Sequence, residues 1–287
     1  MSQQRRATLL GLAAVLLWST VATAFALSLR RLTPVQLLVY STAVATLVLG
    51  GLAALRGEWP ALRRAPRREI LRALGLGIVN PCLYYLVLFT AYARLPAQVA
   101  QPLNYTWALT LGLLSIPLLG QRFRPRLLLA GLVAYAGVLV ISRQGAGGPA
   151  DAFGVALALG STLLWALYWI GNTKSALPPT AGLFLNFAAG LPAVALVCAL
   201  TDGFVPADWR GLWGALYVGT VEMGFTFALW LGALKLADSA ARVANLIFLA
   251  PFLSLVFIAR VAGETIQPGT LVGLVLIVGG LLIQARD

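Results

Sequence analysis

The stretch TLLGLAAVLLWSTVATAFALSL, residues Thr8–Leu29, decides the fold. It holds no charged residue, and a helix needs about 20 mostly apolar residues to cross the hydrocarbon of a bilayer. Arg5 and Arg6 precede it, and Ala22–Thr23–Ala24 resembles a cleavage site, so a secretory signal has to be weighed. The apolar core of a signal peptide runs only about 7–15 residues. This run is longer, and its LLWST at Leu16–Thr20 returns as LLWAL at Leu163–Leu167. It is therefore read as a retained membrane helix.

Working outward, nine further runs of the same kind follow, at about 34–55, 70–92, 97–119, 126–142, 153–173, 181–200, 211–234, 239–259 and 269–285. Ten such helices leave only short connections in 287 residues, with no room for a soluble catalytic domain. Composition agrees: 60% of residues are hydrophobic and 10% charged, against roughly 25% charged in soluble domains. Mean hydropathy is +0.88. The expectation is an all-α integral membrane protein with ten transmembrane helices, its partner being the lipid bilayer.

The net charge of +12 comes from 21 Lys and Arg against 9 Asp and Glu. The basic residues lie almost entirely between the apolar runs, without a basic groove or a nucleic-acid motif, so no nucleic-acid partner is expected. With the N-terminus inside, fifteen of the 21 fall in inner segments and six in outer ones. That bias places both termini in the cytoplasm. Cys82 and Cys198 sit in separate apolar runs, and the chain has no histidine. No metal site, disulfide framework or cofactor is expected.

The chain also repeats itself. Beyond the LLWST pair, Thr33 aligns with Thr180, AYARLPAQVAQPLNY (Ala91–Tyr105) with GALKLADSAARVANL (Gly232–Leu246), and GQRFRP (Gly120–Pro125) with GETIQP (Gly263–Pro268). The order is kept at a near-constant offset. Two repeats result, residues 1–146 and 147–287, each of five helices. Five is odd, so the second must enter the membrane the other way up. Inverted repeats are the architecture of many secondary transporters, with the site near the midplane between them.

Candidate site residues are the polar and aromatic side chains inside the runs. Glu222 lies mid-run in ALYVGTVEMGFTFALWLGAL. A charge there costs roughly 2.5–3.5 kcal/mol on insertion scales, so it must face the bundle interior or water. It is either a proton-titrating group or counter-ion for a substrate ammonium, or a structural acid paired with a neighbour. Asn80 holds nearly the equivalent place in the third run, next to Pro81, which removes a backbone donor and disrupts the helix. Tyr84 lies one turn on, on the same face. That break exposes carbonyls to a substrate, or merely kinks the helix.

The fourth run opens with Gln98, Gln101, Asn104 and Tyr105, and its repeat partner offers Ser239, Arg242 and Asn245. Gln101, Asn104 and Asn245 are candidate substrate contacts, the alternative being interhelical hydrogen bonds. Trp165, Tyr168 and Trp169 share a stripe with Asn172. They line a cavity or anchor the protein at the membrane interface. Trp165 sits mid-run, which suits a belt residue poorly; Trp18 and Trp107 are further candidates. An aromatic-walled cavity would suit flat or apolar side chains.

Two five-helix halves, Trp18 and Trp165 late in their runs, and the Gly263–Glu264 pair after the ninth run resemble the drug/metabolite transporter superfamily, EamA type. Within it the chain is similar to YddG-type aromatic amino-acid exporters of bacterial inner membranes. The resemblance implies alternating access, a central cavity between the halves and amino-acid efflux. Gln121 stands where the second repeat has Glu264, so the role of that acid is not symmetric. No phosphate loop, HExxH, Gly-x-Ser-x-Gly elbow or paired acids on one helix appears, which argues against an enzyme. A channel-like facilitator would be expected to show rings of charge or carbonyl loops. A carrier of nucleotide-sugars or phosphorylated metabolites would draw on Lys174, Lys235 and Arg242.

Overall fold

A computed structural model of the chain describes residues 3–119, 125–143, 150–236 and 245–285. Every regular element among the described residues is helical. Among the described residues six helices are long and apolar enough to cross a membrane: Gln3–Ser28 (α1), Pro34–Leu55 (α2), Arg67–Arg94, Ala152–Thr173 (α9), Pro179–Leu200 (α10) and Gly211–Ala233. Shorter apolar helices cover Leu129–Ser142, Ala250–Ala262 and Pro268–Ile283. The protein is an all-helical membrane protein.

Local chemistry explains where helices begin. Thr33 caps α2: its hydroxyl accepts the Gln36 N–H at 3.2 Å while the Gln36 side chain accepts the Thr33 N–H at 3.4 Å, with Pro34 at the first helical position. Asp151 caps α9 by accepting the Phe153 N–H at 3.0 Å. An exposed short helix not anticipated from the sequence, Trp59–Arg63 (α3), occupies the connection after α2.

Several spans are broken; the ninth runs as a 3-10 turn at Asn245–Leu249, an α-helix at Ala250–Phe257 and a π stretch at Ile258–Ala262. In the third, Arg67–Gly77 (α4) meets Tyr84–Arg94 (α5) through a π-helical stretch, Ile78–Leu83, in which Asn80 is extended at φ −150, ψ 120. The run expected at 97–119 is divided into Ala97–Tyr105 (α6) and Trp107–Leu119 (α7). Thr106 is responsible: its N–H and its hydroxyl both donate to the Leu103 carbonyl, at 3.2 and 2.8 Å, which tightens the turn. Gly211–Tyr217 (α11) and Phe227–Leu236 (α12) flank the wide-wound stretch Val218–Thr226, which carries Glu222. Such π segments recur at functional sites.

Pro125–Ser142 (α8) pairs with Pro268–Ala285 (α14), glycine to glycine. A Cβ on Gly273 would fall 2.4 Å from the Ile141 side chain and 2.7 Å from the Gly137 carbonyl. Elsewhere α1 packs on the Val218–Leu236 segment and on Ala250–Phe257 (α13), and α9 packs on α5, α6 and α7. Likewise α2 lies against Gly211–Thr226, and α10 against α4 and Ile78–Leu83. The contacts of α1 and α2 with Gly211–Phe257 are thus matched by those of α9 and α10 with α4 to α7.

Candidate functional site

α1 presents Trp18, Val21, Ala22 and Phe25 on one face, spaced three and four residues apart as a helix requires. Facing this stripe are Tyr84, Leu88 and Tyr92 from α5, Gln101, Asn104 and Tyr105 from α6, Trp107, Trp165 from α9, Ile247 and Glu222. Together they enclose a cavity in the bundle interior. Six of the residues expected from the sequence line it: Trp18, Tyr84, Gln101, Asn104, Trp165 and Glu222.

Trp165 is the hub of the aromatic wall. It stacks on Tyr84 with ring centroids 4.5 Å apart and meets Trp18, Trp107 and Phe227 edge to face at 6.5, 6.4 and 5.4 Å. Trp18 also touches Phe227 and Trp230, at 6.5 and 5.1 Å. The walls touch one another, so a flat occupant has to part rings and replace their contacts with its own.

Polar groups are placed against this wall. The Tyr85 hydroxyl donates to Glu222 Oε1 at 2.8 Å. The other carboxyl oxygen, Oε2, is buried without a hydrogen-bond partner, and Trp18 lines the same cavity. Gln101 Oε1 is likewise buried and unpartnered. Asn104 donates to the Ser161 hydroxyl at 2.9 Å and accepts from the Tyr84 hydroxyl at 3.5 Å. Among the described lining residues there is no lysine or arginine.

Three expected residues stand behind the wall. Trp169 and Tyr168 meet Trp165 at 5.4 and 6.3 Å, and Tyr168 is hydrogen-bonded to Asn186 at 3.1 Å. Asn80 is buried at the α4–α5 break with neither side-chain polar atom partnered. The side chain of Asn245 lies outside the described residues. Sequence reasoning missed Tyr85, Phe25 and Tyr92. Tyr85 adjoins Tyr84 in a run of aromatics, and only the third dimension shows that it reaches Glu222.

Glu264, by contrast, is away from the cavity. Gly263 takes a left-handed turn at φ +73, and the Glu264 carboxylate then accepts the N–H groups of Ala97 and Gln98 at 2.9 and 3.2 Å, capping α6. Gln98 seals the same junction, donating to the Thr265 carbonyl at 2.8 Å and accepting from Gln267 N–H at 2.9 Å. This fixes α6, which carries Gln101 and Asn104.

A helical membrane bundle with an internal aromatic cavity lined by an acid fits a membrane transporter. The model of the EamA-like transporter family matches residues 5–143 and 152–285, and the chain belongs to that family. It is 30% identical to the aromatic amino acid exporter YddG of Ancylobacter novellus, over 96% of each chain. It is 27% identical to a probable amino-acid metabolite efflux pump of Salmonella typhimurium, over 83% of this chain and 85% of the other. A solved crystal structure of a protein 25% identical in sequence superposes with a TM-score of 0.70, covering 98% of this chain and 96% of that one.

Proposed function

We propose that the protein is a secondary transporter that exports amino acids, aromatic or hydrophobic ones foremost, across the bacterial inner membrane by alternating access. Its frame is ten membrane helices in two inverted five-helix repeats, residues 1–146 and 147–287, with both termini cytoplasmic. The family match in two stretches supports the repeat, as does the way α1 and α2 pack on Gly211–Phe257 while α9 and α10 pack on α4 to α7. The boundary between the halves lies outside the described residues. The basic-residue asymmetry supports the orientation.

The observation that carries the substrate reading is Glu222 Oε2, an acceptor buried without a partner beside Trp18 and Trp165. A buried unsatisfied oxygen costs about 1–3 kcal/mol or more, and a ligand N–H cancels that cost. An ammonium brings up to three donors, and an aromatic side chain fits the ring wall. Trp18, Tyr84, Gln101, Asn104, Trp165 and Glu222 then contact substrate, with Tyr168 and Trp169 supporting Trp165. Asn80, near the repeat counterpart of Glu222, and Asn245, the counterpart of Asn104, remain part of the proposed site. In a chain without histidine, Glu222 is also the group proposed to couple transport to protons. A phosphorylated cargo is disfavoured, since no described lining residue is basic.

Efflux of a panel of labelled amino acids from proteoliposomes, with and without a pH gradient, tests this reading. The expected ranking puts tryptophan, phenylalanine and tyrosine ahead of alanine and serine. Preference for sugar phosphates over every amino acid would overturn it.

A further inference from the structure

A second pocket opens sideways from the bundle, between α1, α11 and α13. Its body is lined by Thr23, Ala24, Leu27, Gly214, Phe257 and Val261. At one end Thr20 and Tyr217 close it with a hydroxyl pair 2.6 Å apart. At the other end stand Arg31 and Arg210. Between Thr20 and Ser28 the pocket follows α1 for about 12 Å, at 1.5 Å per residue.

Four features point to one occupant. The opening is lateral: Tyr217, Phe257 and Val261 are exposed where a bilayer would surround them. The depth is marked by Trp209 and Trp213, both exposed, beside the arginine end; tryptophan favours the headgroup level. The charge at that level is positive, because Asp208 pairs with Arg31 and also accepts the Arg210 backbone N–H, leaving two guanidiniums to one carboxylate. Along its body, Leu27, Phe257 and Val261 offer the apolar side chains that an acyl chain would meet.

We propose that this pocket binds one anionic phospholipid. An acyl chain fills the apolar slot between α1 and α13, and the phosphate is held by Arg210 and Arg31 at the mouth. Guanidinium groups match phosphate oxygens in a two-point geometry. The chain enters from the membrane and the headgroup stays at the surface, so the site is separate from the central cavity, which lies on the other face of α1.

The test uses the full-length protein in nanodiscs of phosphatidylcholine with increasing phosphatidylglycerol. Lipids retained after transfer to detergent are counted by native mass spectrometry. Wild type is expected to keep one phosphatidylglycerol with at least a tenfold preference over phosphatidylcholine. Arg210→Gln removes the phosphate contact, and Ala24→Trp fills the slot without touching the arginines. Each is expected to abolish the preference. Equal retention of the two lipids by wild type overturns the proposal without recourse to any variant. A preference that survives either substitution overturns it as well, since the headgroup or the chain is then held elsewhere.

Discussion

Replacing Trp165 by alanine removes the ring against which the rest of the cavity is organised. Trp165 is buried and stacks on Tyr84 at 4.5 Å, with Trp169 and Phe227 edge-on at 5.4 Å each. Two effects have to be separated. Truncating a buried tryptophan costs about 3–5 kcal/mol in soluble cores, so some destabilisation accompanies the change whatever the residue's role. Recognition is a distinct quantity. If a substrate ring lies against Trp165, alanine removes one aromatic pair, about 0.5–1.5 kcal/mol. At 1.4 kcal/mol per decade that weakens apparent affinity for aromatic substrates by roughly 2- to 12-fold relative to aliphatic ones. The assay is competition against labelled tryptophan in proteoliposomes by phenylalanine and by leucine, per folded protein. Trp169→Phe serves as control, because Trp169 stands behind Trp165 outside the cavity lining; it is expected to shift the ratio by less than about twofold. Equal losses for phenylalanine and leucine in Trp165→Ala would assign the residue to folding alone, and unchanged affinities would remove it from the substrate's path.

Gly273→Val places side-chain carbon where the Gly137 carbonyl and Ile141 already sit. A loss of at least the 1–3 kcal/mol typical of overpacking is expected in thermal unfolding, and Ile141→Ala does not restore it because the carbonyl cannot yield. Glu264→Ala uncaps α6 and is expected to cost about 0.5–2 kcal/mol with the substrate ranking intact; a changed ranking would place Glu264 in the substrate's path. Arg94 beside Asp151 holds that carboxyl below the usual range while Asp151 caps α9. A depressed carboxyl stabilises the fold above its unfolded value, and that contribution fades as pH falls through the folded value. Acidification from about pH 5 to about pH 3 is therefore expected to lower the unfolding temperature of wild type more than that of Asp151→Asn, and identical drops would show that the pair contributes nothing.

Much of this was legible in the residues. Hydropathy marked the run at Thr8–Leu29 and its successors because bilayer-facing helices need apolar length, a property written in composition. Glu222 stood out for the same reason, as an acid where acids are costly. The stripe Trp18–Val21–Ala22–Phe25 obeys helical spacing, but nothing in the sequence says that it faces Tyr84 rather than lipid. The break at Thr106 was hidden because a threonine inside an apolar run leaves hydropathy unchanged, while its hydroxyl bends the turn through the Leu103 carbonyl. The pairing of Tyr85 with Glu222 spans two halves of the chain and belongs to packing alone. Similarly, the Gly263–Glu264 pair could be spotted as a motif, whereas its role in capping α6 required the tertiary contact.

The central claim is that one internal cavity with Glu222 at its core carries substrate alternately to each side. Counterflow tests it most directly. Proteoliposomes loaded with unlabelled tryptophan are placed in trace labelled tryptophan, for wild type and Glu222→Gln. Glutamine keeps shape and the hydrogen bond from Tyr85 while removing the carboxylate. Wild type is expected to accumulate label transiently above equilibrium, with the variant inserted normally but exchanging slowly or without its dependence on pH. Equilibration without overshoot in wild type would indicate a pore, and a variant matching wild type in rate and pH profile would make Glu222 structural.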